Sequence, residues 1–142
     1  MRFWDSSALV HLLIDQPQTP ALAALLREDQ DVVVWWATDT ECASAIARLE
    51  RQGDLTPEAA DAAYARLAQM RRAWSEIHLV EELRETARRL LRTHDLRAGD
   101  ALQLAAAWLT AERHPSTLEF VCLDRRLARA AALEGFIVST VD

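Results

Sequence analysis

Short apolar runs alternate along this chain with longer stretches whose apolar residues recur every three or four positions. The short runs are Arg2-Phe3-Trp4, Val32-Val33-Val34-Trp35-Trp36, Ile77-His78-Leu79, Leu118 to Leu123 and Phe136-Ile137-Val138, and they read as strands. The second is β-branched and aromatic throughout, the mark of a strand buried on both faces of a parallel sheet. Between the runs lie helical patterns. Leu9, Val10, Leu12, Leu13 and Ile14 follow a cap at Ser6 or Ser7, and Leu22, Leu25 and Leu26 follow Thr19-Pro20. Thr38 with Glu41 has the spacing of a capping box ahead of Ala43, Ile46 and Leu49. Further helices are expected from Thr56-Pro57 to Trp74, over residues 81–93 and 98–109, and from Arg125 until Gly135 stops the last one. Strands alternating with helices imply right-handed crossovers and helices on both faces of the sheet. The expected fold is therefore a three-layer α/β/α sandwich around a central, mainly parallel sheet, in one domain spanning residues 1–142.

Composition sharpens this picture in four ways. Hydrophobic residues make up 51% of 142 positions and only three glycines and four prolines interrupt them, which suits a continuous, mostly helical domain with a sizeable core. No stretch resembles a signal peptide or a membrane span, so a cytoplasmic protein is expected. Cys42 and Cys122 sit in apolar runs without ligand spacing, as buried reduced thiols do. The net charge of −6 argues against a protein that coats nucleic acid non-specifically, unless some of its acids hold cations.

Four acids stand out by position. Asp5 and Asp124 directly follow strands, Glu41 lies one turn into a helix that follows a strand, and Asp100 is the single charge in the apolar stretch from Ala98 to Leu109. In a parallel sheet, strand C-termini and the following helix N-termini share one edge, where these four are expected to converge. A helix N-terminus favours an acid by only about 0.3–1 kcal/mol, too little to offset four crowded carboxylates. A bound cation is the natural counter-charge. Oxygen donors without nearby His or Cys point to a hard ion, Mg²⁺ or Mn²⁺, and such ions serve phosphate chemistry.

Each acid also has a plainer explanation. Asp5 and Asp124 suit any strand-to-helix turn and Glu41 suits a capping box, whereas a buried lone Asp100 has the least. His11, His78, His94 and His114 are scattered, which suits solvated or capping roles. Ser6 and Ser7 have no His partner to make either a nucleophile. Trp35, Trp36 and Trp108 read as core, and Arg84, Arg88, Arg89 and Arg92 as a solvated helix face. A phosphatase or phosphate-signalling domain would need a Lys on the transferred group, and all sixteen basic residues here are Arg.

The segments Trp4-Asp5-Ser6-Ser7-Ala8-Leu9-Val10, Leu96-Arg97-Ala98-Gly99-Asp100-Ala101-Leu102-Gln103-Leu104-Ala105 and Phe120-Val121-Cys122-Leu123-Asp124-Arg125-Arg126-Leu127-Ala128, with Glu41 between the first two, give the chain a resemblance to PIN domains. Among these it resembles the VapC-type toxins of bacterial toxin–antitoxin pairs. The resemblance implies a ribonuclease that cuts RNA with Mg²⁺ or Mn²⁺ and is held inactive by a VapB-type antitoxin. It implies Asp5, Glu41, Asp100 and Asp124 as the catalytic acids, Asp5 and Asp100 as direct metal ligands, Ser6 as an auxiliary residue, and a homodimer. Cys122 stands where such proteins often carry Thr or Ser. The helix pair between Thr56 and Thr93 is the expected surface for dimer or antitoxin contact. The alternative is a catalytically silent α/β binding module that acts by sequestering a partner.

Overall fold

A computed structural model describes residues 1–141; Asp142 lies outside the described residues. Five short strands, β1 (Arg2–Trp4), β2 (Val32–Trp35), β3 (Ser75–Ile77), β4 (Glu119–Val121) and β5 (Ile137–Ser139), form one sheet in the order β3-β2-β1-β4-β5. Every pairing in it is parallel. The helices are α1 (Ser6–Leu13), α2 (Thr19–Glu28), α3 (Thr38–Arg51), α4 (Pro57–Ala73), α5 (Glu81–Thr93), α6 (Ala98–Thr110) and α7 (Arg125–Glu134), with a 3-10 turn at Pro115–Thr117. None is long and apolar enough to cross a membrane.

Side chains of a strand alternate between faces, so each strand feeds two cores. Phe3, Val33, Trp35, Phe120 and Cys122 meet α5, α6 and α7 on one face. Trp4, Val32, Val34 and Val121 meet α1, α3 and α4 on the other. Both faces are thus covered, giving the expected three-layer α/β/α sandwich. Phe3 and Phe120 stack across neighbouring strands with ring centroids 5.5 Å apart, each fully buried and contributing about 1.5–3 kcal/mol. The alanines of α6 let it lie close against the sheet: Ala101, Ala105, Ala106 and Ala107 are all at 0% exposure.

Three expectations are corrected. Trp36 does not join the core but stands 48% exposed, because β2 ends one residue earlier and only its backbone N–H continues the ladder, to the Ile77 carbonyl. Thr38 does not cap α3. The chain turns at Ala37, whose dihedrals are already helical, and the Thr38 side chain is fully buried. Finally, α4 and α5 are not a helix pair, since Ala60, Ala63 and Leu67 belong to one core and Leu83, Ala87 and Leu90 to the other.

The chain leaves α7 through Gly135 at φ +100°, where an added Cβ would stand 3.3 Å from Pro115 Cγ. Gly53, at φ +81°, has open space around it. Gly53→Ala is therefore expected to cost about 1–2 kcal/mol, the left-handed backbone penalty alone, and Gly135→Ala more, as read from urea denaturation midpoints.

Candidate active site

The strand order places a switch point between β1 and β4: from β1 the chain runs outward through β2 and β3, then returns to build β4 and β5 on the other side. Loops leaving the C-terminal ends of two such strands diverge and open a crevice. Asp5 leaves β1 there and Asp124 follows β4, with the Asp5 N–H donating to the Val121 carbonyl at 3.0 Å. The N-terminus of α3 brings Glu41 and that of α6 brings Asp100. All four acids named from the sequence meet at this edge.

Asp5 is 3% exposed and caps α1. Its Oδ2 accepts from the Ser7 N–H at 3.1 Å and the Ser7 hydroxyl at 2.5 Å. The Cys122 thiol lies 3.6 Å from the same oxygen and 3.4 Å from the Asp124 carbonyl, so its single proton serves one or the other. Among the described residues Oδ1 accepts no hydrogen bond. Ser7 Oγ also accepts from the N–H groups of Leu123 and Asp124 at 3.0 and 3.2 Å. One hydroxyl therefore ties the end of β1 to the turn after β4.

Glu41 is half-buried. Its Oε2 accepts from the Ser6 hydroxyl at 2.9 Å and its Oε1 from Gln103 Nε2 at 3.3 Å. Gln103 is fully buried and also donates to Thr38 Oγ1 at 3.1 Å, while its own Oε1 finds no partner. The capping-box reading of Glu41 is thus overturned: its carboxylate reaches across to α1 and α6. The box acid is instead Asp100, which accepts from the Arg97 N–H at 3.4 Å at the start of α6. Asp124 caps α7 by accepting from the Leu127 N–H at 2.9 Å.

Burial is the first cause raising Asp5, Glu41 and Asp100 above the ordinary carboxylate range. Repulsion follows a chain: Asp100 raises Asp5, Asp5 and Asp100 raise Glu41, and Asp124 raises Asp100. Hydrogen bonds from Ser7 and Ser6 offset part of it. Among the described residues none of the four acids forms an ion pair, and no three potential ligand side chains close into a metal cage. The set fits a hard divalent cation as an open site does: oxygen donors only, a free oxygen on Asp5, no cationic side chain bonded to any of the four, and coordination left for water or phosphate.

The sequence assigns the auxiliary role to Ser6 alone, which does hold Glu41, but it misses Ser7 as the hub and Gln103 as the link from α6 to α3. Gln103 has a signal of its own, a lone amide three residues after Asp100 in an Ala- and Leu-rich helix. Cys122 occupies the place of the missing hydroxyl, and burial pushes its thiol up. Away from the crevice, His94 is not solvated: Nε2 meets Glu134 at 2.7 Å. Nor is Arg89 free, since it grips Glu134 with Nη1 and Nη2 and lies 5.0 Å over Trp108.

Residues 2–133 match the family described as the PIN domain. Among solved structures, a toxin-antitoxin complex from Klebsiella pneumoniae is similar at TM-score 0.64 and 16% identity, over 99% of this chain and 97% of that one. FitAcB from Neisseria gonorrhoeae is similar at TM-score 0.66 and 18% identity, with the same coverage of both chains. No curated protein matches.

A carboxylate with a raised folded pKa binds more protons folded than unfolded above the ordinary values of 3.8 and 4.5, so stability falls as pH rises through that window. Asp29, Glu119 and Glu134 are lowered and act oppositely, but only below the ordinary range. With chelator present, raising the pH upward from the ordinary carboxylate range is expected to lower the urea midpoint, and Asp5→Asn to flatten that fall.

Proposed function

Because the chain belongs to the PIN domain family, we propose that it is a metal-dependent endoribonuclease, the toxin of a toxin–antitoxin pair of the VapC type. The observation that carries this reading is the convergence of four carboxylates, none of them in an ion pair among the described residues, at the switch point of the sheet. Asp5 and Asp100 are the metal ligands, and Glu41 and Asp124 complete the acidic site. Mg²⁺ or Mn²⁺, when bound, neutralises the phosphodiester and lowers the pKa of a water nucleophile.

The chain's own groups supply the rest. Ser7 fixes the rotamer of Asp5 through Oδ2 and leaves Oδ1 without a hydrogen bond among the described residues. Ser6 and Gln103 hold Glu41 from two sides, and its raised proton affinity suits it to take up the proton of attacking water. The partners of this reading are RNA, a VapB-type antitoxin that covers the crevice, and a second copy of the chain. The similar structure from Klebsiella pneumoniae supports the antitoxin, since it is a toxin-antitoxin complex.

The purified protein is expected to cleave RNA only with Mg²⁺ or Mn²⁺. Asp100→Asn, which keeps an acceptor for the Arg97 N–H, should lower cleavage at least about 100-fold with an unchanged circular dichroism spectrum. Metal-independent cleavage, or full activity in that variant, would end the nuclease reading. Expression in bacteria is expected to arrest growth and Asp5→Asn to relieve the arrest. Equal arrest by the variant would favour the silent module that sequesters a partner.

A further inference from the structure

Arg97, Arg125 and Arg126 line one open groove of about 380 Å³ together with Asp100 and Asp124. All three arginines are exposed. Arg97 immediately precedes α6, and Arg125 and Arg126 are the first two residues of α7. These are unfavourable places for cations, because the N-terminal end of a helix carries partial positive charge and prefers anions.

Nor are these arginines spoken for elsewhere. Arg2, Arg84, Arg89 and Arg113 each engage a carboxylate closely. Arg126 reaches only Asp95, at 3.9 Å with both side chains largely exposed, a contact of little worth. Among the described residues Arg97 and Arg125 have no ion pair. Arg97 and Arg126 do act on Asp100 through space, so the plainer account makes them counter-charges to the acids. That account leaves Asp100 raised all the same, with no guanidinium bonded to it.

Once a divalent cation offsets two of the carboxylate charges, the groove retains three guanidinium groups beside two helix N-termini. Such a wall needs an anion. The planar fork of Arg matches phosphate oxygens in pairs, and a single RNA strand presents phosphates in succession.

We propose that Arg97, Arg125 and Arg126 form a phosphate subsite that holds the RNA backbone beside the cleaved bond, on the α6–α7 side of the acidic crevice. The proposal rests on the ribonuclease reading for its substrate. It makes this side of the groove the source of RNA affinity in a protein whose net charge is −6.

The test measures binding of a short single-stranded RNA to Asp5→Asn protein in Mg²⁺ by fluorescence anisotropy at several salt concentrations, with RNA integrity checked on a gel. Replacing each arginine by Gln is expected to reduce the slope of log K against log salt by about 0.7, and the triple replacement by about 2. In the cleaving protein the triple replacement should raise KM at least about tenfold while kcat stays within about threefold. Unchanged slope and KM in the triple variant would overturn the subsite. So would unaltered RNA binding accompanied by a lower melting temperature, which would make the arginines counter-charges only. RNA binding that follows the arginines in a protein that never cleaves would keep the subsite and remove the nuclease reading. Cleavage indifferent to the arginines would do the reverse.

Discussion

Repulsion among four carboxylates is the constraint that the crevice has to accommodate. A reversal of strand order brings Asp5 and Asp124 side by side at the ends of β1 and β4, and the first turns of α3 and α6 add Glu41 and Asp100. No cationic side chain is bonded to any of them. Hydrogen bonds keep them in place instead: Ser7 on Asp5, Ser6 and Gln103 on Glu41, the Arg97 amide on Asp100 and the Leu127 amide on Asp124. Neutral donors hold a carboxylate in position without cancelling its charge. That is the electrostatic state a site needs if a cation is to complete it.

The surrounding fold serves this arrangement by being short and stiff. Strands of three or four residues give each face of the sheet only one or two side chains per strand. The two cores are therefore made mostly by helices, and the strands act chiefly to set where their own ends lie. Ser7 then couples β1 to the turn after β4 through two backbone amides, so the distance between Asp5 and Asp124 does not depend on packing alone.

Much of this was legible in the chain. The alternation of runs and periodic stretches specifies the layers, and an acid directly after a strand specifies the edge, because both are local patterns with a local cause. Asp5 and Asp124 could be placed for that reason. What could not be read is where a side chain turns once several elements surround it. Thr38 and Glu41 have the spacing of a capping box, yet α3 starts one residue early and both side chains turn to α6 and α1. Asp100 lies in an apolar stretch and reads as a lone buried charge, yet it is partly exposed and accepts the N–H of the cap residue, Arg97. Trp36 continues an apolar run by sequence but falls beyond the last paired residue of β2. Each of these outcomes is decided by contacts between segments distant in sequence, as is the role of Gln103, 62 residues from Glu41.

Three of the four acids have a second occupation. Asp5 and Asp124 are helix N-caps and Asp100 accepts the amide that opens α6. Folding alone would retain them in a descendant that had lost any chemistry, so their presence in a related sequence is weak testimony to activity. Glu41 begins no helix and bonds only to side chains of other elements. If the crevice is the nuclease site proposed above, Glu41 is the one of the four acids that helix capping gives no separate reason to keep.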